Sequence, residues 1–366
     1  MFNLNTIWIT LLLLSVMVVV HEYGHFLLAR LFGVATPEFS VGFGPLIGKI
    51  NHNGVQYSLR WILLGGFVKI AGMDIALEGS AEDLPPDAEK SFATLPLWKK
   101  ITVIAAGPIF NVLFAMILMF VMFVAVGIPG GQKNDAAIVG QATPGSPAFD
   151  AGIRPGDRIV SIAELPVQKW SDIAEIISKT KSNKVPVIIE RKGKKIERII
   201  KPMYLPDYKR YLLGIGPIAQ RLHRIPVGEA FIKTLQFPLV FMQGTVKVFS
   251  LMFSGKVKSE FMGPIGMVTV VDQFLQMPPM VFLYNILEFG IQISMSLFLF
   301  NMLPLPLPLL DGGWIVILLM ERLFRRKFTS EQKAAAQMVG LAAVLFLGVW
   351  VAYGDLLRAF RRFFGG

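Results

Sequence analysis

Apolar residues in this chain gather into long runs instead of alternating with polar ones. The first runs from Ile7 to Val20, is interrupted by His-Glu-Tyr-Gly-His at 21–25, and resumes through Phe26, Leu27 and Leu28. Three more runs cover about 101–128, 280–303 and 334–356. Each approaches the roughly 20 residues a bilayer-crossing helix needs, so the pattern predicts four spans. Between Gly33 and Met73 the pattern changes to short alternating pieces such as VQYSLRWILL, broken by VGFGP and LGGF. That predicts a β element packed against the membrane or dipping into it, where protein or a wet cavity must satisfy its backbone.

Elsewhere the pattern is that of a water-facing fold. From Gly130 to about Pro217, alternating strands (AAIVGQA, RIVSIAE, VPVIIERKG, KIERIIKP) and one helix (WSDIAEIISKT) predict a small α/β module. Arg224 to Lys258 has apolar positions at helical spacing but frequent charge, which predicts an amphipathic helix at the interface. The segment NMLPLPLPLLDGG cannot be regular helix, because each proline removes a backbone donor. EGSAEDLPPDAEK is the best linker candidate. The expected division is 1–128, a membrane part with the β element and two spans; 129–220, the soluble module; 221–279, an interfacial amphipathic segment; and 280–366, a second membrane part. The fold class is therefore a polytopic α-helical membrane protein with one extracytoplasmic α/β domain.

Composition supports this class: 54% of residues are hydrophobic and 17% charged, too few charges for an ordinary soluble chain. The net charge of +11 does not imply nucleic acid, since Lys and Arg are scattered or flank the apolar runs. Counted over short loops, Arg30, Arg60, Lys69, Lys99 and Lys100 place the first loop inside, and Arg322, Arg325, Arg326 and Lys327 the third. The soluble module then lies outside, although Arg358, Arg361 and Arg362 after the last run argue the other way. With no basic residue before Ile7 and no small-residue cleavage site after Val20, the first run is expected to be a retained span, not a signal peptide. Cysteine is absent, which excludes disulfides, thiolate metal ligands and a cysteine nucleophile.

Ionisable residues inside an apolar helix are costly and need a compensating partner. Two histidines at i and i+4, His21 and His25, fall within about 40° of each other on a helix and can share one tetrahedral zinc. Glu22 beside them fits a base that takes a proton from a zinc-activated water. The plain alternative is a polar cluster that caps the end of a span. A catalytic zinc needs a third protein ligand. Asp311 is preferred, because an irregular backbone can aim a carboxylate and Gly312 and Gly313 permit close approach; Glu288 stays open as an alternative, while His52 and His223 lie in polar contexts.

HEYGH in the first run, AAGPIFN in the second, GPIG after the outer module and the Asn-to-LDGG segment near the third together resemble the site-2 protease family, in particular the bacterial branch that includes the regulator of sigma-E protease. The resemblance covers nearly the whole chain. It implies one Zn2+ held by His21, His25 and Asp311, with Glu22 as the base, in an enzyme that cuts substrate helices within the bilayer. It also implies that Asn301 holds unwound substrate backbone, and that the region of Gly42, Gly44, Gly65 and Gly66 receives substrate as an added strand. The segment between Asn301 and Asp311 is two residues longer than the family pattern. The soluble module resembles a PDZ domain of the circularly permuted kind, whose carboxylate-binding loop would include Gly214 and Gly216.

The implied substrates are single-span membrane proteins already shortened by another protease, such as anti-sigma factors or remnant signal peptides, in a bacterial inner membrane. The module would bind a peptide C-terminus or exclude large substrates. Two other classes compete: a membrane-bound PDZ scaffold without turnover, and a proton-coupled transporter using the polar cluster as a relay. Asn111 is expected to make a helix-to-helix hydrogen bond, and the glycines at 42, 44, 65 and 66 serve turns equally well.

Overall fold

The structure is a computed structural model and describes residues 4–73, 91–129, 137–142, 146–180, 184–205, 210–217, 222–254, 263–275, 277–308 and 310–364. The linker candidate lies outside these residues. In chain order the helices are α1 (Leu4–Leu31), α2 (Leu97–Val121), α3 (Pro147–Asp150), α4 (Trp170–Lys179), α5 (Val227–Phe253), α6 (Pro264–Leu275), α7 (Pro279–Asn301), α8 (Asp311–Phe324) and α9 (Ser330–Phe364). The strands are β1 (Glu38–His52), β2 (Val55–Lys69), β3 (Ile128–Pro129), β4 (Val139–Ala142), β5 (Arg158–Ile162), β6 (Leu165–Pro166), β7 (Val185–Arg191), β8 (Lys194–Ile200), β9 (Met203–Leu205), β10 (Arg210–Leu212), β11 (Ile215–Pro217) and β12 (Leu222–His223). Contacts divide the chain into two units, Met1–Val126 with Ile225–Gly366, and Gly127–Arg224.

In the first unit, four helical stretches are long and apolar enough to cross a membrane among the described residues: Leu4–Leu31, Leu97–Val126, Pro279–Asn301 and Glu331–Gly354. The second includes a π-helical turn, Met122–Val126, that closes α2. α1 and α2 meet through glycine: a Cβ on Gly24 would collide with the backbone carbonyl of Ala106. Small residues let spans approach closely where lipid offers no hydrophobic drive to associate. Ser294 of α7 donates to the Asn111 carbonyl of α2 at 2.8 Å, tying the third span to the second.

Within 221–279 the described residues form two helices, and the amphipathic helix expected over Arg224 to Lys258 corresponds to the first of them. α5 is such a helix, with exposed Phe231, Leu235, Leu239 and Val246. α6 packs on α1, where Thr6 donates to Asp272 at 3.0 Å. The run from Ile265 to Leu275 carries one acid and no base, so it buries against another helix more readily than it floats at the interface.

β1 and β2 form a long bulged hairpin. Residues 38–41 are flanked on both sides, by 56–59 and by 66–69, because both strands bend back on themselves. Gly42 and Gly44, at φ +87° and +79°, supply the left-handed conformations this bend requires. Buried Glu38 locks the base: its Oε1 accepts from Arg60 at 2.7 Å and Ser58 at 2.8 Å, and its Oε2 pairs with Lys69 at 3.1 Å. Burial alone would raise its pKa, but these donors hold the Glu38 carboxyl down at about 2.

The second unit carries a four-stranded sheet in the order β6-β5-β7-β8 and the pair β11-β4. Ile159, Ile162, Val187, Ile189, Ile173 and Ile177 fill its core. Asp157, buried, accepts a bidentate pair from Arg191 at 2.7 and 2.8 Å and a bond from the Arg154 backbone N–H at 2.8 Å. Burial opposes its charge, yet the Arg191 bonds outweigh it and keep the Asp157 carboxyl below the ordinary range.

Candidate metal centre

The helical spacing of His21 and His25 puts both rings on the face of α1 that meets α2, with Nε2 atoms 3.1 Å apart. Asp311 opens α8, and its Oδ2 lies 3.1 Å from His21 Nε2 while its Oδ1 lies 3.6 Å from His25 Nε2. All three ligand atoms fall within 4.8 Å of one another. Zinc bonds of about 2.0–2.1 Å in a tetrahedron would set ligand atoms roughly 3.3–3.4 Å apart, which the observed 3.1–3.6 Å spacing brackets. The side chains are only 7–15% exposed. Asp311 Oδ2 is buried and makes no hydrogen bond, an orientation that a cation would satisfy. The donor set therefore fits one zinc ion.

The backbone around Asp311 explains why two glycines follow it. A Cβ on Gly312 would strike the Met302 and Leu303 backbone, and one on Gly313 would strike the Leu307 carbonyl. The proline-rich segment thus lies directly against the first turn of α8 and aims its leading carboxylate at α1. Glu288, the other candidate for third ligand, does not line the cavity beside the histidines.

That cavity, about 330 Å³, is lined by His21, Glu22, His25 and Asp311 together with Val68, Ile70 and Asn301 among others. The structure thus brings Glu22 and Asn301, at the end of α7, to the same space as the three ligand candidates. Of the hairpin glycines, Gly65 packs on Val18 of α1, one turn before His21, and Gly66 sits where a Cβ would collide with the Ser40 carbonyl. Gly42 and Gly44 lie in the bend of β1 and do not line the cavity. Gly214, at φ +75°, and Gly216 belong to the second unit, where Ser146 donates to the Gly214 carbonyl at 3.2 Å and Gly216 pairs with Gln141.

Three residues of α2 back the histidines. The Val103 carbonyl stands 2.9 Å from His25 Nδ1, and Nδ2 of the Asn111 side-chain amide 3.2 Å from His21 Nδ1. Gly107, between them, leaves no room for a Cβ, which would collide with Nε2 of His25. Asn111 does make a bond between helices, but onto a candidate ligand. The signal for this was the spacing Gly107 to Asn111, one turn apart within AAGPIFN.

The family model described as Peptidase family M50 matches residues 9–347. A Fusobacterium nucleatum protein provisionally named a zinc metalloprotease is 28% identical over 97% of this chain and 100% of its own length. A Campylobacter jejuni protein of the same provisional name is 30% identical, over 95% of this chain and 92% of its own. The regulator of sigma-W protease RasP of Bacillus subtilis is 24% identical over 97% and 99%. Among solved structures, the PDZ domain of an SdrC-like protein from Listeria monocytogenes aligns with 24% of this chain and 90% of its own length, at 20% identity and a TM-score of 0.21.

Proposed function

This chain belongs to peptidase family M50, as a multi-pass membrane zinc metalloprotease of the site-2 type, and we propose that it hydrolyses peptide bonds within the transmembrane segments of single-span proteins. The observation that carries the proposal is the convergence of His21, His25 and Asp311, from helices at opposite ends of the sequence, beside a cavity that Glu22 also lines.

In this reading one Zn2+ is held by His21, His25 and Asp311. Zinc, when bound there, supplies Lewis-acid polarisation of the scissile carbonyl and a more acidic water. Glu22 accepts the proton of the attacking water and passes it to the leaving amine. A peptide bond inside a helix must first be unwound, and its freed N–H and C=O groups then need partners. The edge of β2 at Gly66–Lys69 is paired on one side by residues 38–41, and among the described residues no further strand pairs with its other side. Val68 from that edge and Asn301 from α7 both reach the cavity. Strand addition to that edge, with Asn301 bonding the backbone beyond it, holds the substrate extended across the site.

Its substrates in this reading are proteins already shortened by another protease, anti-sigma factors or remnant signal peptides, and one relative bears the name of a sigma-W regulator. The second unit acts as a PDZ domain on the outer face of a bacterial inner membrane, binding peptide ends near Gly214 and Gly216 or excluding bulky substrates. The metal centre lies toward the cytoplasmic side.

Zinc content and cleavage of a single-span model substrate test the site together. Purified wild type and Glu22→Gln should each hold about one zinc, with cleavage reduced by roughly 10²–10⁴-fold in the variant. A wild type without zinc, or a variant that cleaves as fast, refutes the assignment.

A further inference from the structure

We propose that Asn111 is a positioning residue for the metal centre: its side-chain oxygen accepts a hydrogen bond from His21 Nδ1 and holds His21 in the tautomer that turns Nε2 toward the metal. The inference rests on the reading of His21 as a zinc ligand.

The neighbouring histidine sets the pattern. His25 Nδ1 faces the Val103 carbonyl at 2.9 Å, and a carbonyl only accepts. Nδ1 of His25 therefore carries the proton, and Nε2 offers its lone pair to the centre. His21 presents Nε2 to the same point, 3.1 Å from Asp311 Oδ2, so it needs an acceptor behind Nδ1 as well. The Asn111 side-chain amide, fully buried, occupies that place with its Nδ2 3.2 Å from His21 Nδ1, so a donor stands where an acceptor is needed. Its two ends exchange by a half turn about the terminal torsion, and only the turn that brings Oδ1 to Nδ1 matches an acceptor to the N–H. Oδ1 is otherwise buried without a partner.

The amide sits on a prepared surface. Val103, Gly107 and Asn111 follow one another at four-residue spacing along one face of α2, and Gly107 lets both imidazoles press on the helix. Ser294 of α7 donates to the Asn111 carbonyl, fixing that turn of α2 from behind. With Oδ1 on His21, the amide nitrogen gains no partner. An aspartate at 111 would keep the acceptor without that N–H, giving the carboxylate–histidine–metal arrangement that orients many metal ligands.

The full chain, purified in detergent, is compared as wild type, Asn111→Leu and Asn111→Asp by competition with a zinc chelator. Asn111→Leu should weaken zinc by about 10–100-fold, and Asn111→Asp should restore affinity to within about threefold of wild type. The chain has four histidines, so ¹⁵N-histidine labelling with long-range ¹H–¹⁵N couplings reads each tautomer directly. Zinc-loaded wild type and Asn111→Asp should both show His21 protonated at Nδ1, a readout that survives if the leucine variant does not fold. Tight zinc binding by Asn111→Leu, equal losses in both variants, or a metal on Nδ1 of His21 each overturn the proposal. If wild type binds no zinc at all, the underlying metal reading falls with it.

Discussion

Single residues decide this molecule where a group is buried and its partners are few. Gly107 is read from the sequence only as a small residue in a span, yet its hydrogen is what lets two imidazoles lie flush on α2. Asp157 is a case in the second unit. Its carboxyl is more acidic folded than unfolded, so its ion pair with Arg191 stabilises the unit fully above the ordinary carboxylate range, and that contribution fades as pH falls through and below it. Scanning calorimetry of the purified chain at pH 7, 5 and 3.5 should find the unit's transition falling toward acid. Asp157→Asn should destabilise the unit at pH 7 by about 2 kcal/mol and make its pH dependence shallower, with Asp172 and Glu175, also held more acidic, supplying what remains.

At the scale of elements, the proline-rich segment and α8 act as one piece. Prolines prevent α7 from continuing, and the carbonyls of Leu303, Leu305 and Leu307 pack against Gly312 and Gly313. Asp311 inherits its aim from that packing. Gly313→Ala should push the first turn of α8 away from α1 and weaken zinc binding tenfold or more, while α7 and α9 keep their helicity; circular dichroism beside a chelator competition checks both. The hairpin follows similar logic, since Arg60 bonds Glu38, the Ser40 hydroxyl at 3.1 Å and the Gly44 carbonyl at 2.8 Å, fixing a bend that alternation alone would not predict. The sequence pattern located this β element within Gly33 to Met73 but could not give its doubled-back register, because bulges erase the period of two.

For the whole molecule, the proposed orientation places the loops at Lys99 and Lys327 on one side of the bilayer and the second unit on the other. The chain contains no cysteine, so single cysteines report position without background. Lys192→Cys in the second unit should react with an impermeant maleimide in intact spheroplasts, and Lys327→Cys only after lysis. The reverse pattern would invert the topology. Four apolar helices, the break before Asp311 and the α/β character of residues 130–217 were legible in sequence, since each follows from local periodicity and from where proline and glycine fall. α6 was not separated from the interfacial segment, because its burial depends on α1, a partner far away in the chain.

By itself, the sequence determined the His21 and His25 pair, because four residues along a helix put two side chains on one face whatever the rest of the chain does. Only the tertiary structure brings Asp311 beside the two histidines, and only it sets Val103, Gly107 and Asn111 behind the rings. Those choices depend on how separate helices pack, and a contact between distant segments leaves no period in the sequence from which it could be read.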